Sequence, residues 1–110
     1  MVPQDLPADI LAFVTQRIDS VPELETLLMM SERTDHPWTV DDVAARTYVN
    51  HATARAVLEA LQRRGLIAPD AGGAFRFQPH DPADVALVAH VASYYRANLV
   101  RVATLIGQFR

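Results

Sequence analysis

The segment from Trp38 to Phe77 constrains the fold most, because it asks for a short helix, a tight turn, a longer helix and a two-strand hairpin in succession. Thr39 and Asp42 have capping-box spacing, in which each side chain satisfies a free backbone N–H of the other. Val40, Val43 and Ala44 then share one side of a helix from about Val40 to Arg46. The apolar pattern shifts at Thr47-Tyr48-Val49, and Asn50 can cap a second helix. Within it Ala54, Val57, Leu58 and Leu61 form one buried face. Gly65 ends it: glycine tolerates left-handed backbone, and the preceding Arg63 and Arg64 suit the negative end of the helix dipole. Leu66-Ile67-Ala68 and Phe75-Arg76-Phe77 read as short strands around the turn residues Pro69 to Gly73.

The outward face of the second helix carries His51, Ala52, Thr53, Arg55, Glu59, Gln62 and Arg63. When a helix of this kind docks in a major groove, its N-terminal residues meet base edges. Arg55 can donate two hydrogen bonds to guanine, with Thr53 and His51 beside it. Ala52 and Ala56 are small enough to let the helix sit deep. Asn50, Arg46, Arg63, Arg64 and Arg76 are placed to hold phosphates. The same arginines also read as a solvated helix face, and charge alone does not separate the two. The hairpin tip, Asp70 to Gly73, has no cation, so deep minor-groove insertion is not expected.

The runs D-V-A-A at Asp42 to Ala45, A-T-A-R-A-V-L-E-A-L at Ala52 to Leu61 and R-R-G-L-I at Arg63 to Ile67 carry a family likeness. The segment resembles the winged helix-turn-helix of bacterial transcription regulators, broadly the MarR-like and related groups. The resemblance covers residues 38–77 of 110. It implies a mainly α fold with a small β-hairpin, and duplex DNA binding through the helix after Asn50. Those proteins usually have glycine or a small residue where this chain has Tyr48, a departure that bears on the turn. Some winged helices bind only proteins.

The net charge of −3 runs against the basic footprint usual in DNA-binding domains. Its distribution matters more. Residues 50–64 hold Arg55, Arg63 and Arg64 against Glu59 alone, whereas residues 1–35 hold Arg17 and Arg33 against seven carboxylates. The acidity therefore sits in the N-terminal third. The chain has no cysteine, which removes a disulfide framework, a thiolate zinc site and a thiol nucleophile. His36, His51, His80 and His90 lack metal-ligand spacing, and no Gly-rich phosphate loop or nucleophile–base pair is present. Neither a metal, a cofactor nor an enzymatic activity is expected. No basic-then-apolar leader appears, and no apolar stretch reaches the ~18 residues of a membrane span, so a soluble cytoplasmic protein is expected.

The length suits a single domain. Two N-terminal helices are expected over residues 6–33. The first buries Leu6, Ile10, Phe13, Val14 and Ile18; the second is capped by Ser20 with Glu23 and buries Leu24, Leu27 and Leu28. The helix-turn-helix and wing occupy residues 38–79. Asp81-Pro82 then opens a C-terminal helix over residues 81–110. There Val85, Val88, Ala92, Tyr95, Leu99, Val102, Ile106 and Phe109 keep heptad spacing. A continuous helix of roughly 28 residues would be about 42 Å long, more than a domain this size can cover. The excess implies a homodimer through Val88, Tyr95, Leu99, Val102, Ile106 and Phe109. The alternative is a broken pair of helices hinged near Asn98 and folded back on the core.

The leading expectation is a dimeric, sequence-specific DNA-binding transcription regulator. A protein-interaction module on the same fold is the alternative, favoured by the net acidity and the uncharged wing tip. A small-molecule effector of unknown chemistry could occupy a cavity lined by Trp38, Tyr94 and Tyr95.

Overall fold

The computed structural model describes residues 6–108. Among them, six α-helices and one small antiparallel sheet follow in the order α1 (Ala8–Arg17), α2 (Val21–Ser31), α3 (Val40–Thr47), α4 (His51–Arg63), β1 (Ile67–Pro69), β2 (Phe75–Phe77), α5 (Ala83–Ala97) and α6 (Leu99–Gln108). The fold is thus mainly helical. The aromatic anchor of its core is Trp38, 2% exposed.

Short-range polar chemistry sets most helix starts. The Ser20 hydroxyl accepts the Glu23 N–H at 3.2 Å, and Glu23 Oε1 accepts the Asp19 N–H at 3.2 Å. At α3 the capping box is complete: Thr39 Oγ1 accepts the Asp42 N–H at 3.0 Å and Asp42 accepts the Thr39 N–H at 3.1 Å. These bonds, the Thr39 N–H first, hold the Asp42 carboxyl below its ordinary pKa. Asn50 Oδ1 caps α4 by accepting the Thr53 N–H at 2.7 Å. At α5 the Asp81 carboxylate accepts the Ala83 N–H at 3.0 Å.

The hairpin pairs Ile67 with Phe77, Ala68 with Arg76 and Pro69 with Phe75. Gly72 and Gly73, at φ 69° and 77°, make its tip in a conformation that a side chain would strain. A backbone bridge extends the pairing: the Trp38 N–H donates to the Phe75 carbonyl at 2.7 Å, and the Phe75 N–H to the Trp38 carbonyl at 2.8 Å. The segment entering α3 and the hairpin leaving α4 are therefore joined edge to edge.

One core runs through the molecule. Ile10, Phe13 and Val14 of α1 meet Leu24, Leu27 and Met30 of α2, Leu58 and Leu61 of α4, and Val88 and Val91 of α5. Across it lies a charged lock. Arg17 at the end of α1 donates to both carboxylate oxygens of Asp84, in the first turn of α5, at 2.8 and 3.0 Å. It also donates to the Arg64 carbonyl at 3.2 Å, and Arg64 returns a bond to the Arg17 carbonyl at 3.0 Å. Arg64 further pairs with Glu23 and Asp19 at the start of α2. Burial works against the Arg64 charge, but the two carboxylates outweigh it and hold its pKa above the ordinary value.

The C-terminal region departs from the single-helix expectation. The chain breaks at Asn98, at φ −137° and ψ 43°. Its N–H donates to the Tyr95 carbonyl at 3.1 Å and its side-chain amide to the Tyr94 carbonyl at 3.0 Å, closing α5; its own carbonyl accepts the Val102 N–H at 3.1 Å, opening α6. α6 then folds back against α1 and α5. Five members of the heptad seam, Val88, Ala92, Tyr95, Val102 and Ile106, are buried inside the chain, while Val85 is exposed. Val88, Tyr95, Val102 and Ile106, expected at a dimer interface, are 0%, 6%, 1% and 4% exposed. Leu99 is exposed, and Phe109 lies outside the described residues.

Removing Arg64 leaves the buried Glu23 carboxylate without its cation. Arg64→Ala is expected to lower stability by about 2–4 kcal/mol, while the exposed neighbour substitution Arg63→Ala stays within about 0.5 kcal/mol. Urea unfolding of both variants measures the contrast.

Candidate nucleic-acid interface

α4 buries Ala54, Val57, Leu58, Ala60 and Leu61 and turns His51, Ala52, Arg55, Ala56, Glu59, Gln62 and Arg63 to solvent, with Thr53 half-buried at the margin. The buried set faces α2 and α3, so the first turns of α4 are braced from behind. Arg55 is exposed and, among the described residues, has no ion pair or side-chain hydrogen bond. Arg63 is likewise exposed and unpaired among them. His51, Arg55, Glu59 and Arg63 recur every four residues along one ridge, so a carboxylate stands between the two arginines. The methyl groups of Ala52 and Ala56 lie beside the ridge and keep its relief low.

The other expected contact residues divide. Arg46, at the end of α3, is exposed, with its guanidinium carbon 5.7 Å from the Trp38 ring centroid. Asn50 is exposed, but its side-chain oxygen is committed to the cap, leaving its amide nitrogen for a ligand. His51 Nε2 lies 3.3 Å from Asp41 Oδ1, so this imidazole faces an acidic neighbour.

Two expected contacts are corrected. Arg64 faces inward: its guanidinium is held by Asp19 and Glu23 and is not available to phosphate. Arg63 and Arg64 are adjacent, and the helix turns about 100° per residue, so one points out while the other points toward α2. Arg76 is tied to Asp70 across the hairpin, Nε at 3.0 Å and a terminal nitrogen at 2.9 Å. The Ala71 N–H, and then Arg76, hold the Asp70 carboxyl below its ordinary pKa. The hairpin thus presents a neutralised pair instead of a free cation.

An acidic bank borders the same helix. A cavity of about 520 Å³ runs between Asp19, Ser20 and Glu23 at the start of α2 and Asn50, Thr53, Ala60 and Arg63 of α4. Both carboxylates there are engaged by Arg64, which lessens their field along α4.

One residue was not expected at this surface. Tyr48 closes α3 in the left-handed conformation, φ 58° and ψ 39°, and is 94% exposed. It is the described non-glycine residue with positive φ. The signal was present in the sequence as a tyrosine in a turn that calls for glycine. Of Trp38, Tyr94 and Tyr95, which were expected to line a cavity together, Tyr95 borders a groove between α2 and α5, whereas Trp38 is buried.

Among the described residues no three His, Asp or Glu side chains are grouped to hold a metal, and no helix is long and apolar enough to cross a membrane. Comparison with family models, curated proteins and solved structures returns no match.

Left-handed backbone costs a non-glycine residue on the order of 1 kcal/mol, and the exposed Tyr48 ring recovers little of it by packing. Tyr48→Gly is expected to raise stability by ~0.5–1 kcal/mol, after allowing for the looser unfolded chain of glycine. Thermal denaturation followed by circular dichroism checks the sign.

Proposed function

We propose that the chain is a winged helix-turn-helix regulator that binds duplex DNA through α4, as paired copies. The observation that carries this reading is Arg55: a free guanidinium in the second turn of a braced, solvent-facing helix, set among alanines that permit close approach. In this reading α3 and α4 are the helix-turn-helix. The hairpin is the wing, steadied by its bridge to Trp38. Arg55 reads guanine, with Thr53 and His51 beside it, while Arg46, Arg63 and the Asn50 amide meet phosphates. Arg64 and Arg76 take no part.

A second copy must use apolar groups that the chain leaves outside its own core. Val85, 49% exposed, lies in the first turn of α5, and Leu99 and Val100, 52% and 74% exposed, lie at the junction of α5 and α6. Two copies meeting there by two-fold symmetry would present two α4 helices to half-sites about one helical turn apart. A protein-binding role is the second reading, and the Arg76–Asp70 pair favours it, because the hairpin then offers phosphate no free charge.

Gel-shift titration against random duplex pools is expected to show binding that falls steeply with salt. Arg55→Ala should cost about 1–3 kcal/mol and relax base preference, while Arg63→Ala should weaken all sequences alike and reduce the salt slope by about one unit. Arg76→Ala should change little. Absence of binding to any duplex at low salt would overturn the DNA reading.

Sedimentation of the unmodified chain is expected to show a dimer, and Val100→Glu a monomer. A monomer at every accessible concentration removes the pairing.

A further inference from the structure

A groove of about 410 Å³ lies between α2, the last turn of α3 and α5. Its size falls in the range of small-molecule sites, roughly 300–1,000 Å³. Leu28, Met29, Ala92 and the Tyr95 ring make it apolar. Four charged side chains stand around it: Glu25 and Glu32 from α2, Arg46 from α3 and Arg96 from α5.

Two of these four charges cancel as a pair and two do not. Arg96 bonds Glu32 at 3.2 Å, so that pair is satisfied. Glu25 accepts the Tyr95 hydroxyl at 3.3 Å but has no cation partner among the described residues. Arg46 has no carboxylate partner among them, and its guanidinium lies near the Trp38 ring. One carboxylate without a cation partner and one guanidinium without a carboxylate partner therefore border a single apolar hollow. Tyr48 stands at the same groove with its ring free.

We propose that this groove binds an α-amino acid with a large apolar or aromatic side chain. Its ammonium meets Glu25, its carboxylate meets the Arg46 fork, and its side chain lies on Met29 and the Tyr95 ring beside Tyr48. A carboxylate is the acceptor that a guanidinium can bond with two parallel hydrogens. An anion lacking the ammonium leaves Glu25 unmatched, and a cation lacking the carboxylate leaves Arg46 unmatched. Specificity for the zwitterion follows from those two mismatches. The strain held at Tyr48 is consistent with a ring kept there for contact.

The site also adjoins the proposed DNA surface. Arg46 belongs to both, and Tyr48 lies two residues before the α4 cap Asn50. An amino acid in the groove withdraws Arg46 from phosphate, so it should weaken duplex binding. That consequence rests on the DNA reading; occupation of the groove does not.

Calorimetric titration of the full chain with L-tryptophan and L-leucine tests the site directly. Saturable binding is expected for at least one of them. L-Tryptophanamide, which lacks the carboxylate, and N-acetyl-L-tryptophan, which lacks the ammonium, should each bind at least about tenfold more weakly. Glu25→Gln keeps an acceptor for the Tyr95 hydroxyl but removes the charge, and Arg46→Gln removes the fork; each should weaken binding about tenfold or more. Tyr48→Gly should weaken it while the fold gains stability, which separates lost contact from lost structure. No saturation up to about 10 mM, or affinity unchanged in both charge variants, overturns the proposal. L-Tryptophan binding without duplex binding leaves the groove standing and removes the DNA reading; duplex binding without amino-acid binding does the reverse.

Discussion

The reciprocal bonds between Arg17 and Arg64 govern where α4 can point. Each guanidinium reaches the other residue's backbone carbonyl, and their remaining hydrogens go to Asp84, Asp19 and Glu23. Four helices are fastened at one spot: the end of α1, the start of α2, the end of α4 and the first turn of α5. Desolvating so many charges offsets much of the Coulomb gain, so the lock adds less net stability than its bond count suggests. Its larger effect is directional. Apolar contacts tolerate small rotations of a helix, whereas bidentate arginine bonds do not. With the C-terminal end of α4 pinned there and its N-terminal end set by Asn50, the ridge carrying Arg55 has a defined aspect.

The division of charge follows from that arrangement. The acidic N-terminal third does not simply face away from the arginines. Asp19 and Glu23 come forward to α4 and are taken up by Arg64. Arg55 and Arg63 stay on the outer ridge with Glu59 alone between them, because the acids at the start of α2 already have a cation. A negative chain can in this way keep a locally positive helix.

Local chemistry was legible in the sequence, and long-range partnership was not. The caps at Ser20, Thr39 and Asn50 each depend on residues three positions apart, so their spacing declares them. The turn at Pro69 to Gly73 and the strands around it were equally readable. Arg64 was not, because its partners lie 41 and 45 residues away and no pattern within α4 names them. The single unbroken C-terminal helix was misread for another reason. Spacing of three and four identifies an apolar stripe but is silent on whether its partner is another chain or this one. Asn98 decides that, by closing one helix and opening the next. At the candidate interface, Arg55 and the alanines beside it were anticipated, while the loss of Arg76 to Asp70 turned on a cross-hairpin contact.

The bridge between Trp38 and Phe75 has a mechanical corollary. Two short backbone bonds weld the hairpin to the residue that leads into α3. A hairpin hanging from α4 by its stem alone could swing as a flap. This one is clamped at two places along its length, so a force on its tip is transmitted to the root of α3 and the aromatic plug beneath it. It behaves as a stiff fin, and its attitude relative to α4 is fixed before anything touches it.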